Sequence, residues 1–340
     1  MLRIVALLIN VLLIAGAAAI FWGANKSTGD QKCTGSTPDQ FKCYRAYYND
    51  LVKTKGVGAA MADLRARYHD PFVSSQCHQL THIIGRATAD LYPSVSEAFR
   101  SGDGFCWSGF YHGVMEGVAQ EIGRADLPQE LDSICQDIPG GKKPSFDYYN
   151  CVHGLGHGIM SIVNNELFES LELCNNLTGA WEQSYCGGGV FMENIMADQV
   201  NHYSKYLKAD DLLYPCNAVS EKYKATCYLM QPTRMIDVLG NDFSKVFELC
   251  STVGEPYMNA CYQGLGMGAS AKAAGSIEQT KTYCLGGKGL RQQSNCVIGA
   301  VENIVSYFHS DREARLFCAS FPHDLQSVCY TTTENYYRLF

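Results

Sequence analysis

Phe247-Glu248-Leu249-Cys250-Ser251-Thr252-Val253-Gly254-Glu255-Pro256-Tyr257-Met258-Asn259-Ala260-Cys261 decides the fold class. Upstream of it, from Asp242 to Leu249, apolar side chains recur at three- and four-residue intervals, the spacing of one helical face. Ser251 to Pro256 is polar and broken by Gly254 and Pro256, which marks a loop. Cys250 therefore closes one helix and Cys261 opens the next. A disulfide between them would staple the two together.

The pattern repeats along the chain. A helix-opening series runs Cys43, Cys77, Cys106, Cys151, Cys186, Cys227, Cys261, Cys296 and Cys329, at separations of 34, 29, 45, 35, 41, 34, 35 and 33 residues. The other seven cysteines each lie 10 to 16 residues upstream of a member of that series. The spacing then selects Cys33–Cys43, Cys135–Cys151, Cys174–Cys186, Cys216–Cys227, Cys250–Cys261, Cys284–Cys296 and Cys318–Cys329, and leaves Cys77 for Cys106. Closing a loop of this length contributes about 3 kcal/mol per bond in the chain-entropy picture. Ser220 to Met230 and Ala300 to Phe308 show the same helical periodicity as Asp242 to Leu249. Glycine stands three residues after five of the series cysteines, at Gly109, Gly154, Gly189, Gly264 and Gly299. Glycine inside a helix costs about 1 kcal/mol relative to alanine, so its recurrence implies close helix–helix contact at one place in each unit. The expected fold is all-α: disulfide-stapled tandem helical-hairpin repeats of about 34 residues, forming an α-solenoid or an α/α toroid.

Composition sets the compartment. Sixteen cysteines, with no Cys-x-x-Cys spacing for a metal cluster, belong to an oxidising environment. A net charge of −7 without a basic cluster excludes nucleic acid as a partner. At the N-terminus Arg3 precedes an apolar run from Ile4 to Trp22, long enough to span a bilayer as a helix. Residues 1–23 are thus expected to be a membrane anchor or a signal segment, with Ala15 to Ala19 offering a cleavage site. Cleavage there would expose Ile20, Phe21 and Trp22, which favours an anchor. Residues 24–32 form a tether and 33–340 an extracytoplasmic domain, single-pass anchored or otherwise secreted.

The architecture resembles tandem helical-hairpin repeats in general. It also resembles the cysteine-rich repeat proteins exported by bacteria, which tie consecutive helices with one disulfide per repeat. That resemblance covers residues 33–340 in plan. The inter-cysteine loops are longer here and that family's glycine–tyrosine consensus is not met, so it implies a fold and no function.

One cluster breaks the symmetry of the repeats. His78 and His82 stand at i and i+4 after Cys77, and His153 and His157 do so after Cys151. Between them His112 and Glu116 have the same spacing after Cys106. Each pair lies on one helical face, and neighbouring helices about 8–10 Å apart let imidazoles meet across the gap. His78, His82, His112, Glu116, His153 and His157 are therefore candidate ligands for one or two transition metal ions: copper, iron, zinc or manganese. The bland alternative is a buried His/Glu/Tyr network, including Tyr111 and Tyr149, that fixes helix register without metal. Against it, Met192, Met267 and Glu302 occupy the offset from their cysteines that His112 and His157 occupy from theirs, so the repeat itself does not demand histidine. The paired His-x-x-x-His helices are similar to those of dinuclear copper oxidases and oxygen carriers. Glu193-Asn194, Glu302-Asn303 and Glu334-Asn335 read as helix-surface or inter-repeat contacts, and tyrosines such as Tyr149, Tyr185, Tyr223 and Tyr257 mostly as packing for the disulfides, with an exposed subset available to a binding surface.

Three functions follow: an extracytoplasmic metal-binding protein, acting as a redox or hydrolytic enzyme; an interaction scaffold whose concave face takes a protein, peptide or glycan; and a copper-handling protein without catalysis.

Overall fold

The structure, a computed structural model, describes residues 33–140, 145–196, 204–273 and 275–339. The expected anchor or signal segment at 1–23 and the tether at 24–32 lie outside the described residues. Among the described residues no helix is long and apolar enough to cross a membrane.

The described residues hold sixteen helices and no strand. The first six are α1 Thr37–Lys55, α2 Val57–Ala66, α3 Pro71–Ala89, α4 Val95–Arg100, α5 Gly109–Ile134 and α6 Phe146–Ile162. Then come α7 Leu167–Cys174, α8 Ala180–Ile195, α9 Glu221–Met230, α10 Pro232–Val238 and α11 Phe243–Cys250. The last are α12 Met258–Lys272, α13 Ile277–Leu285, α14 Leu290–Phe308, α15 Arg312–Ala319 and α16 His323–Tyr337. The chain divides into two compact units at Tyr47/Tyr48. The first contains the Cys33–Cys43 bond; the second holds everything described below.

All sixteen cysteines are bonded, in the eight pairs that the spacing selects. Eight intrachain disulfides fit an oxidising, extracytoplasmic environment. The upstream partner sits at a helix end, as with Cys174 closing α7 and Cys250 closing α11. The series cysteines lie deeper than expected. Cys186, Cys227 and Cys296 each come six residues into their helices rather than at the first turn, the helices starting after Gly179, Ser220 and Gly289. The helix carrying Cys151, α6, does have a polar cap: Ser145 Oγ accepts from Tyr148 N at 3.2 Å.

Within the second unit the longer helices pack in succession, α3 on α5, α5 on α6, α6 on α8, α8 on α9, α9 on α12, α12 on α14 and α14 on α16. Glycine permits the close approach. A Cβ on Gly189 would stand 1.9 Å from His153 O, and one on Gly299 would stand 1.8 Å from Gln263 O. The late helices also meet the early ones: the Tyr307 and Trp107 rings lie 4.9 Å apart, and Phe146 N donates to Leu339 O at 2.7 Å. Together they wall a cavity of about 580 Å³.

Candidate metal centre

Helix α3 starts cleanly. Pro71 supplies a preset first residue, and the Asp70 carboxylate accepts from Phe72 N and Val73 N at 2.8 and 3.1 Å. From that start, His78 and His82 come round on the buried face. The chain then reaches Cys106, Trp107 and Ser108, three consecutive non-glycine residues in left-handed conformation at φ 59°, 56° and 62°. Such a conformation costs roughly 1–2 kcal/mol per residue; the Cys77–Cys106 bond and helix α5 hold it in place. The turn aims Cys106 O at His78 Nδ1, 2.9 Å away.

Helix α5 carries His112 and Glu116 inward, helix α6 His153 and His157, and helix α8 Glu193. His82 Nδ1 lies 2.6 Å from one Glu116 oxygen, and Arg86, one turn beyond His82, donates to the other. His157 Nδ1 meets Glu193 Oε2 at 2.6 Å. The two halves thus match: two histidines on one helix, with a glutamate from a later helix behind the second. His112 sits between the halves, stacked on His157 at 4.3 Å and 14° and within 5.5 Å of the other three rings. All five histidines are buried.

The proton positions follow from the partners. A carbonyl oxygen and an ionised carboxylate only accept, so His78 and His82 each donate through Nδ1. Burial keeps His78 neutral, so with its one N–H at Nδ1 its Nε2 is an acceptor. His82 Nε2 faces it at 3.0 Å. At that distance the two atoms can share a proton or ligate one metal ion. His157 Nε2 and His153 Nε2 lie 3.4 Å apart. Nδ1 of His112 and of His153 is buried without a hydrogen bond, although the Tyr185 backbone lies near enough to favour the charged form of His153 slightly.

Electrostatics decide which cation. Burial, then the neighbouring His82, pushes His78 well below the ordinary histidine range. Burial and the surrounding imidazoles do the same to His112, and burial followed by His157 to His153. Burial alone would raise the Glu116 carboxyl, but His82 and Arg86 outweigh it and hold it well below the carboxylate range. His78, His112 and His153 therefore resist protonation, close to the negative charge of Glu116. Three overlapping groups have ligand atoms within 4.8 Å of one another: His78, His82 and His112; His112, His153 and His157; and His82, Glu116, His157 and Glu193. Nitrogens bound at about 2.0–2.1 Å in a tetrahedral site stand about 3.3 Å apart, close to the separations seen.

The structure brings all six residues selected from the sequence together and adds Glu193, which the sequence alone assigned to a surface or inter-repeat contact. Its signal is the pairing distance: Glu116 follows His82 by 34 residues and Glu193 follows His157 by 36. Glu302 is likewise not a surface residue; it lines the cavity with His112, His153, Met192 and Met267. Tyr149 and Tyr185 line it too, rather than only covering disulfides, with Tyr149 stacked on His153 at 5.4 Å. Tyr111 packs instead among Phe99, Phe110 and Phe146.

Set beside known proteins, the chain matches no family model, no curated protein and no solved structure.

Proposed function

We propose that this is an extracytoplasmic metal-binding protein whose second unit is a closed ring of disulfide-stapled helical repeats, with a transition metal centre at the interface of α3, α5 and α6. The convergence of His78 Nε2 and His82 Nε2, 3.0 Å apart with each ring pinned through Nδ1, carries the reading. His78, His82 and His112 would hold one ion, and His153 and His157 a second or a shared one. Histidine ligands commonly donate their second N–H to a carboxylate or carbonyl, and Glu116, Glu193 and Cys106 O are placed for that. When bound, such an ion supplies a Lewis acid or a redox couple at the cavity wall. The chain's own part is to orient the imidazoles, keep His78, His112 and His153 neutral, and leave His112 and His153 facing the cavity. The contact of the late helices with Trp107 and Phe146 supports closure of the repeat array into a ring.

Met192, Met230 and Met267 on the same cavity favour copper among the metals and give weight to a copper-handling role without catalysis.

The test is elemental analysis by mass spectrometry of protein folded in an oxidising compartment and purified without chelator or histidine tag. Near-stoichiometric transition metal, absent from His82→Ala and His112→Ala, is expected. Correctly oxidised wild-type protein free of metal, and unable to take any up, would falsify the assignment.

A further inference from the structure

The cavity holds a second chemical feature, separate from the histidines. On its wall α14 presents Glu302, set deep among helices and partly exposed. This carboxyl accepts no hydrogen bond and pairs with no base among the described residues, and no lysine or arginine lines the cavity. Around it stand rings. Tyr149 comes from α6, Trp181 and Tyr185 from α8, and Tyr336 from α16. The rings of Trp181 and Tyr185 lie 4.3 Å apart, and those of Tyr149 and Tyr185 5.2 Å apart, edge to face. The Glu302 charge reaches the phenols: burial first, and then Glu302 among other neighbours, raises Tyr149, Tyr185 and Tyr336 above the ordinary tyrosine range. The Tyr336 hydroxyl is already engaged with Ser306 Oγ at 3.0 Å.

We propose that the cavity binds a small organic cation, an ammonium compound with an apolar or aromatic body, with Glu302 as its counter-ion and Tyr149, Trp181, Tyr185 and Tyr336 as its aromatic walls. An unpaired buried carboxylate is costly and is relieved by a partner of opposite charge. Ring faces attract a cation most strongly where water is excluded, and Trp and Tyr are the better faces. The volume falls in the range of small-molecule sites, about 300–1,000 Å³. Burial places Glu302 at about 7, so a bound cation also favours its ionised form at neutral pH. This binding needs no metal, and its failure leaves the metal centre untouched.

Isothermal titration calorimetry on the full chain at pH 8 tests the proposal with three probes. Benzylammonium and benzyl alcohol share size and ring and differ in charge. Benzyltrimethylammonium has no lone pair and cannot ligate a metal. Both cations are expected to bind roughly tenfold or more tighter than the alcohol, with quenching of tryptophan fluorescence, before and after treatment with a chelator. Glu302→Gln should remove the preference while leaving the eight disulfides and the helical circular dichroism unchanged. Equal affinity for benzylammonium and benzyl alcohol overturns the proposal, as does absence of binding at millimolar probe. Benzylammonium binding that vanishes with chelator while the quaternary probe never binds overturns it too, since the amine would then be a metal ligand. The probe comparison uses wild-type protein and stands even where the variant does not fold.

Discussion

Glu116 and Glu193 do for His82 and His157 what a histidine cannot do for itself: they fix which nitrogen carries the proton. Replacing either by glutamine keeps the shape and removes the charge. Glu116→Gln and Glu193→Gln are each expected to weaken metal binding by about 10- to 100-fold, measured by competition with a chelator of known affinity. Unchanged affinity in both would mean the carboxylates serve register alone. Glu302 gives a prediction of opposite electrostatic sign. Burial raises it from an ordinary 4.5 to about 7, so the folded chain binds a proton that the unfolded chain has released between those values. Its contribution to stability is therefore full below pH 4.5 and is lost as the pH rises through 7. At about 1.4 kcal/mol per pH unit, Glu302→Gln should gain about 3 kcal/mol on the wild type between pH 4 and pH 8. Urea unfolding at the two pH values measures it; parallel stability of both proteins across that range would contradict it.

Among helices, glycine sets the spacing on which the centre depends. The backbone of α8 at Gly189 lies against His153 O, and four residues later the same helix delivers Glu193 to His157. Gly189→Ala should push α8 from α6 and cost about 1–3 kcal/mol or more, with loss of metal affinity beyond that of Glu193→Gln. Gly58 in α2 is the control: nothing stands within 4 Å of its would-be Cβ. Gly58→Ala should stabilise by roughly 0.5–1 kcal/mol. Thermal unfolding of the two variants compares them, and similar shifts would mean that close approach is not what the glycines provide. The contrast also shows what a sequence discloses. The cysteine ladder was legible because seven of the eight staples join residues only 10 to 16 apart, which leaves Cys77 and Cys106 for each other. The His-x-x-x-His pairs were legible because one helical turn places them on one face. Glu193 and Glu302 read as surface or inter-repeat contacts, without a choice between the two, because the facing of their side chains depends on neighbours a repeat or more away. The cavity, shared by residues of seven helices from Trp107 to Leu339, leaves no local trace.

For the whole chain the covalent frame and the centre are coupled. Six of the eight bonds close loops of 10 to 12 residues, and at about 3 kcal/mol each their sum exceeds the total stability of an ordinary domain, about 5–15 kcal/mol. The reduced chain is therefore expected to have no stable fold. Cys77–Cys106 is the bond that differs, spanning 29 residues and holding the left-handed turn whose carbonyl fixes His78. Two double variants separate stability from site. Cys250→Ser with Cys261→Ser should cost about 2–5 kcal/mol in urea unfolding and leave metal affinity near that of the wild type. Cys77→Ser with Cys106→Ser should cost a similar amount and also release the turn, so that metal binding falls even in the fraction that remains folded. Metal affinity is read at a denaturant-free temperature where circular dichroism shows both variants helical. If both lose metal equally, the centre depends on general stability; if only the second does, the disulfide beside the site is part of how the site is built.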